Sequence, residues 1–217
     1  MSDIFREVDE EVRRERLEQL WTRHRFSLIA LAIVVVAGVG GWRGYQWWEA
    51  KKAAEAGAQF EAALALAEQG KHEEAEAAFG KIVAEGTSGY RVLARFRAAE
   101  ELALRDPQGA VKDYDALASD SRIGQTLQDL AAIRAGLIVV DTAPYDALRA
   151  RLEPLAASDR PFRHTARELL ALRAWRSGDQ SAVRHWIDII VTDAETPAAV
   201  RARADMLTAV TPGSEKG

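Results

Sequence analysis

Cysteine is absent from the 217 residues. That excludes disulfides, thiolate zinc sites and cysteine nucleophiles together, and it leaves the redox compartment undecided. Proline is scarce, at six residues, and aromatic residues make up only 7%. A basic surplus is also missing. The net charge is −4, and residues 53–217 carry 25 acidic against 20 basic side chains. A surface of that sign does not attract a phosphate backbone, so nucleic acid is not an expected partner. No HExxH, G-x-S-x-G or P-loop occurs, and no G-x-G-x-x-G opens a helix after a strand. Neither a cofactor nor an enzymatic activity is therefore expected. Four histidines remain: His24, His72, His164 and His185. Of these, His164 has Glu168 at i+4, a spacing that fits a metal pair but equally describes a solvated helix face.

The longest run without charge lies between Phe26 and Trp42, within RFSLIALAIVVVAGVGGWRGYQWWEAKK from Arg25. Crossing a hydrocarbon layer of ~30 Å takes roughly 20 helical residues. Trp21 and Trp42 stand 21 positions apart, about 31 Å at helical rise. Phe26, Leu28, Ile29 and Val34 fill the interval, and Trp47 and Trp48 thicken the second aromatic girdle, where indoles satisfy an apolar body and an N–H donor together. A cleaved signal peptide competes with a permanent anchor, because Gly38 and Gly40 offer small residues to a peptidase. The preceding segment, however, is long and rich in both charge signs, unlike a short basic n-region. We read residues 25–48 as an uncleaved membrane helix. Within about fifteen residues of the uncharged run Phe26–Trp42, five arginines (13, 14, 16, 23 and 25) precede it and Arg43, Lys51 and Lys52 follow it. That bias holds the amino terminus in the cytoplasm and exports the remainder. Residues 1–24 read as a charged amphipathic cytoplasmic segment, with Ile4, Val8, Val12, Leu17, Leu20 and Trp21 on one stripe.

Beyond Lys52 the pattern is helical throughout. Expected helices cover 53–68, 72–85, 89–105, 107–118, 124–140, 144–157, 161–177, 179–192 and 197–210. Asp106–Pro107 and Thr196–Pro197 each pair a capping side chain with proline at the first helical position, and Ser88 is a third expected cap. After a polar turn, an alanine recurs at Ala75, Ala110, Ala147 and Ala182, at intervals of 35, 37 and 35 residues. Four positions later come Phe79, Tyr114, Arg151 and Trp186, so that a small residue admits the neighbouring helix and a large one fills the space beside it. Trp175 and Trp186 are expected to pack between the fourth pair and the final helix. A helix pair every 34 residues or so is tetratricopeptide (TPR) spacing. The fold class follows: all-α, with one N-terminal transmembrane helix, then a TPR-like α-solenoid of about four helix pairs over 49–210, ending in a C-terminal capping helix. Residues 211–217 read as a flexible tail. Tyr90, Arg91, Arg95, Arg163 and Arg167 belong to first helices of pairs, which line the concave face of such solenoids, and are candidate contacts for acidic or carboxy-terminal groups of a bound chain.

A charged start, one span ending in aromatics, and an alanine-rich domain opening with QFEAALALAEQGKHEEAEAAFGKI resemble the bacterial ancillary subunits of the Sec translocon over nearly the whole chain. That resemblance implies a single-pass protein of the bacterial inner membrane with a periplasmic domain. It also implies partners: the Sec translocon and a periplasmic chaperone or folding factor, alongside membrane lipid around the one helix. A TPR-like scaffold for envelope assembly, cytochrome maturation or cell division shares the same plan.

Overall fold

The computed structural model describes residues 3–211, with side chains described from Arg25 onward. Trp21, the stripe of residues 1–24 and the tail beyond Thr211 lie outside those described side chains. The chain divides into two units, residues 1–54 and 55–217.

In the first unit, helix α1 (Asp3–Glu68) carries the apolar run. Every side chain from Arg25 to Lys52 is exposed, including Phe26, Leu28, Ile29, Val34, Trp42, Trp47 and Trp48. The helix is long and apolar enough to cross a membrane. Lys52 Nζ sits 3.9 Å from the Trp48 ring centroid and Lys51 Nζ 5.8 Å from that of Trp47, each a favourable cation–π arrangement.

The second unit is helical, with no strand among the described residues. After residues 55–68 of α1 come α2 (His72–Glu85), α3 (Ser88–Ala103), α4 (Pro107–Ala118), α5 (Gln125–Val139), α6 (Tyr145–Leu152), α7 (Arg163–Arg176), α8 (Gln180–Thr192) and α9 (Ala198–Ala209). Each helix packs chiefly on its neighbours in sequence, and α9 covers α7 and α8. That is the connectivity of a repeat stack closed by a cap. One core runs from Ala99 on α3 to Ala204 on α9. A smaller one, around Ala63, Ala75, Phe79, Ile82 and Ala94, holds the first pair.

Local chemistry explains the boundaries. Gly70 and Gly178 both adopt φ 76°, a left-handed conformation open to glycine at little cost. At each, the next residue donates to a carbonyl five positions back: Lys71 N to Leu66 O and Asp179 N to Ala174 O, both 3.0 Å. This is the Schellman closure of a helix end. Asp106 Oδ1 accepts from Gly109 N at 2.9 Å with Pro107 in the first turn, the expected cap of α4. Two other expected caps differ. Thr87 rather than Ser88 occupies the N-cap of α3, and Thr196 Oγ1 donates to Ile190 O at 2.8 Å instead of serving α9. Helix α6 stops at Leu152, short of the expected 157, and continues as a 3₁₀ turn over Glu153–Leu155. Pro154 forces this, since an α-helix through it would lose a hydrogen bond and clash with the preceding turn.

The alanine register holds on α2 and α4 and shifts after that. Ala75, Phe79, Ala110 and Tyr114 are buried. On α6, Ala147 is exposed and Leu148 and Leu152 own the covered face. Room for Leu152 comes from Gly136 on α5, where a Cβ would lie 3.1 Å from both leucine methyls. On α8, Ala182 is half-buried while Val183 and Trp186 are buried. Ala147→Ser is accordingly expected to change stability by less than about 0.5 kcal/mol, the range for open surface sites, in a thermal melt followed by circular dichroism. Trp175 does not pack as expected, being 39% exposed.

Candidate interaction groove

Sequence spacing places two helical faces side by side. On α3, Leu93, Phe96 and Glu100 follow an i, i+3, i+7 pattern; on α5, Leu127, Leu130 and Arg134 repeat it, each 34 residues later. Such spacing keeps three side chains on one face of a helix. The two rows meet. They line a cavity of about 270 Å³ together with Phe60, Arg97 and Tyr114. Leu93 and Leu127 also line a larger cavity of about 630 Å³, with Val83, Arg91, Arg95 and Arg122. The two cavities share Leu93 and Leu127 and together make up the α3–α5 groove. Leu93 is 48% exposed there.

The walls are cationic. Arg95 Nη1 donates to Asp120 Oδ2 at 2.7 Å, and Arg122 Nε donates to Asp120 Oδ1 at 2.8 Å. The Arg122 and Arg95 guanidinium groups hold the Asp120 carboxyl well below the usual carboxylate range, and Arg122 is itself raised by that partner. At the other end Glu100 is shared by Arg97 at 2.8 Å and Arg134 at 3.6 Å. Arg91 Nε donates to Gly86 O at 3.0 Å, with no carboxylate partner among the described residues.

Of the candidate concave-face contacts, Arg91 and Arg95 line this groove. Tyr90 lies half-buried against Phe60, ring centroids 5.7 Å apart. Arg163 and Arg167 are elsewhere. Arg167 is 4% exposed, and donates to Asp193 Oδ2 at 2.6 Å and to Ala156 O at 2.9 Å. Arg163 Nε joins the same Asp193 oxygen at 3.1 Å. These two arginines bind the start of α7 to the loop before α9, and burial keeps Arg167 from a bound chain. His164 lies beside them, with its pKa lowered mainly by burial. Its i+4 neighbour Glu168 is held by Arg203, Nη2 to Oε2 at 2.8 Å. Among the described residues no group of three or more potential ligands gathers for a metal.

The Asp193 knot makes a pH prediction. Hydrogen bonds from Arg167, the Glu195 backbone and Arg163 hold its carboxyl well below the usual range. A depressed folded pKa contributes stability that is complete above the unfolded value of about 3.9 and is lost as pH falls below it. Asp193→Asn is expected to lower the thermal midpoint at pH 7 and to flatten its decline between pH 4 and pH 2.5. A variant whose decline parallels the wild type would remove Asp193 as a source of the acid sensitivity.

Stacked helix pairs, closed by a cap and carrying an open groove on their first helices, define a helical-repeat interaction protein. Residues 18–170 match the model of the tetratricopeptide repeat-like domain, well over half of the chain, and the chain belongs to that family. Domains of this family are scaffolds for protein–protein interaction and are typically non-catalytic. No curated protein and no solved structure matches the chain.

Leu93, Leu127 and Leu130 carried no functional reading in sequence, because leucines on an alanine- and leucine-rich helix read as core. The 34-residue recurrence of the Leu93, Phe96, Glu100 row was the available signal.

Proposed function

We propose that the chain is a single-pass inner-membrane protein, with residues 1–24 cytoplasmic, 25–48 in the bilayer and the TPR-like domain of 49–210 in the periplasm, followed by a tail over 211–217. There it serves as an ancillary subunit of the Sec translocon and assists the handover of secreted proteins to periplasmic chaperones. The observation that carries this reading is an apolar helical run, exposed at every residue from Arg25 to Lys52 and ending in indoles, joined to a repeat scaffold. Lipid is the environment that covers such a helix without further protein. Tethering keeps the scaffold near the channel and raises its effective concentration toward emerging chains. Arg91, Arg95 and Tyr90 belong to the working face; Arg163 and Arg167 tie the start of α7 to the loop before α9.

Two measurements test it. Protease added to spheroplasts is expected to digest the helical domain while sparing a short N-terminal fragment, and copurification from mild detergent is expected to recover translocon components. A domain that resists protease until the inner membrane is broken reverses the topology. Absence of any translocon component across several detergents removes the proposed partner.

A further inference from the structure

We infer that the α3–α5 groove takes an acidic peptide segment interrupted by apolar side chains, contributed by a partner protein. The inference rests on the reading of the domain as an interaction scaffold and adds the chemistry of what it holds.

Charge is the first argument. Residues 53–217 are net acidic, yet the groove reverses that sign. Five arginines line it, Arg91, Arg95, Arg97, Arg122 and Arg134, against two carboxylates, Asp120 and Glu100. Asp113 on α4 also faces Arg95, from outside the groove. Each lining carboxylate is already gripped by two guanidinium groups, so the site displays on its own residues the carboxylate pairing it offers to a ligand. Guanidinium forks favour carboxylates because two parallel N–H donors match two oxygens. The cationic surplus lies at both ends, with Arg91 and Arg122 at one and Arg97 and Arg134 at the other.

The second argument is the floor. Between the two ends Leu93, Phe96, Leu127 and Leu130 offer apolar surface that a purely ionic ligand would leave wet. An exposed leucine flanked by arginines binds best what is apolar at the centre and acidic at the flanks. A long polyanion fits less well, because the rest of the domain repels it. Two linked cavities suit an extended chain of several residues more than one small molecule.

The test uses the full-length protein in neutral detergent and three fluorescein-labelled dodecapeptides: one of Asp and Glu around Leu and Phe, one with every acid replaced by lysine, one with every apolar residue replaced by serine. Anisotropy is expected to show saturable binding of the first alone, weakening at least tenfold between 50 and 300 mM NaCl. Arg91→Gln and Leu93→Ser, both at exposed sites, are each expected to weaken it several-fold with unchanged circular dichroism, and Arg122→Gln provides a second charge variant. Equal binding of the lysine peptide, unchanged affinity in the groove variants, or binding abolished by anionic phosphatidylglycerol vesicles, which would mark the groove as a lipid-headgroup site, overturns the inference. A protein that recovers translocon components yet ignores the acidic peptide loses this inference alone. One that binds the peptide but recovers no translocon loses only the proposed partner.

Discussion

Trp186→Ala is expected to lower the thermal midpoint of the helical domain by roughly 10 °C. Trp186 is 3% exposed and belongs to the long core. Removing a buried tryptophan costs about 3–5 kcal/mol, as transfer energy and an unfilled cavity add together. For a domain of 150–250 residues each kcal/mol moves the midpoint by about 2–4 °C. The indole also has a polar task, because Nε1 donates to Tyr145 Oη at 2.8 Å and so ties α8 to the start of α6. Trp186→Phe separates the two contributions: it keeps most of the packing, loses the hydrogen bond, and is expected to cost about 1 kcal/mol. Arg91→Ala is the control. Arg91 is exposed, and among the described residues its side chain hydrogen-bonds only through Nε to a backbone carbonyl, so its loss is expected to move the midpoint by less than 2 °C at the per-kcal rate above. Equal midpoints for Trp186→Ala and Arg91→Ala would mean that α8 does not depend on this side chain.

The same residue shows how far sequence reasoning reaches in a repeat protein. Trp186 was legible because it falls one turn after a small residue, in phase with Phe79 and Tyr114, and second helices have one covered face and one wet face. On α2 and α4 that phase identifies the buried pair directly. It fails on α6, where the i, i+4 pair Leu148 and Leu152 outweighs Ala147. Leucine buries more apolar area than alanine, so the helix turns until the larger side chains are covered. Helix ends were legible at Gly70, Gly178 and Pro107, where glycine or proline dictated a conformation, but not at Pro154, through which the expected helix ran to 157. Caps at Ser88 and Thr196 were not, since a hydroxyl there has several neighbouring backbone groups to choose from.

First helices are harder for a physical reason. Helix α5 packs against α4, α6 and α7, so most of its circumference is covered. Helix α5 buries Ala131, Ala132, Ile133, Ala135, Gly136 and Val139, which together span most of its surface. A helix apolar nearly all round gives no periodic signal for the strip left open. Leu127 and Leu130 are therefore indistinguishable in sequence from their buried neighbours. Arginines mislead in the opposite sense. Arg167 looks like a surface charge, yet Asp193, from a loop 26 residues later, allows it to be buried. Pairing over that distance is written in the tertiary fold and has no local mark.

Two aspartates placed in the apolar run, Val34→Asp with Val36→Asp, are expected to release the full-length protein from carbonate-washed membranes while leaving the helical domain folded. A charged side chain near the centre of a spanning helix costs about 2.5–3.5 kcal/mol of insertion, so two cost roughly 5–7 kcal/mol. That converts a strongly favoured insertion into a poor one. Within the chain both valines are exposed, at 67% and 71%, and touch no core. Substituting them therefore has no route by which to unfold α2–α9, whose circular dichroism and thermal midpoint are expected to match the wild type. The pairing of readouts discriminates among the readings of this segment. A soluble protein that buries this helix against an undetected partner loses its stability together with the partner and shows no change in fractionation. A cleaved export signal yields a mature chain lacking both positions, which the aspartates cannot affect once export is complete. Only a permanent bilayer helix gives loss of membrane retention with an intact domain, because only there does lipid, rather than protein, supply the surroundings that Val34 and Val36 require.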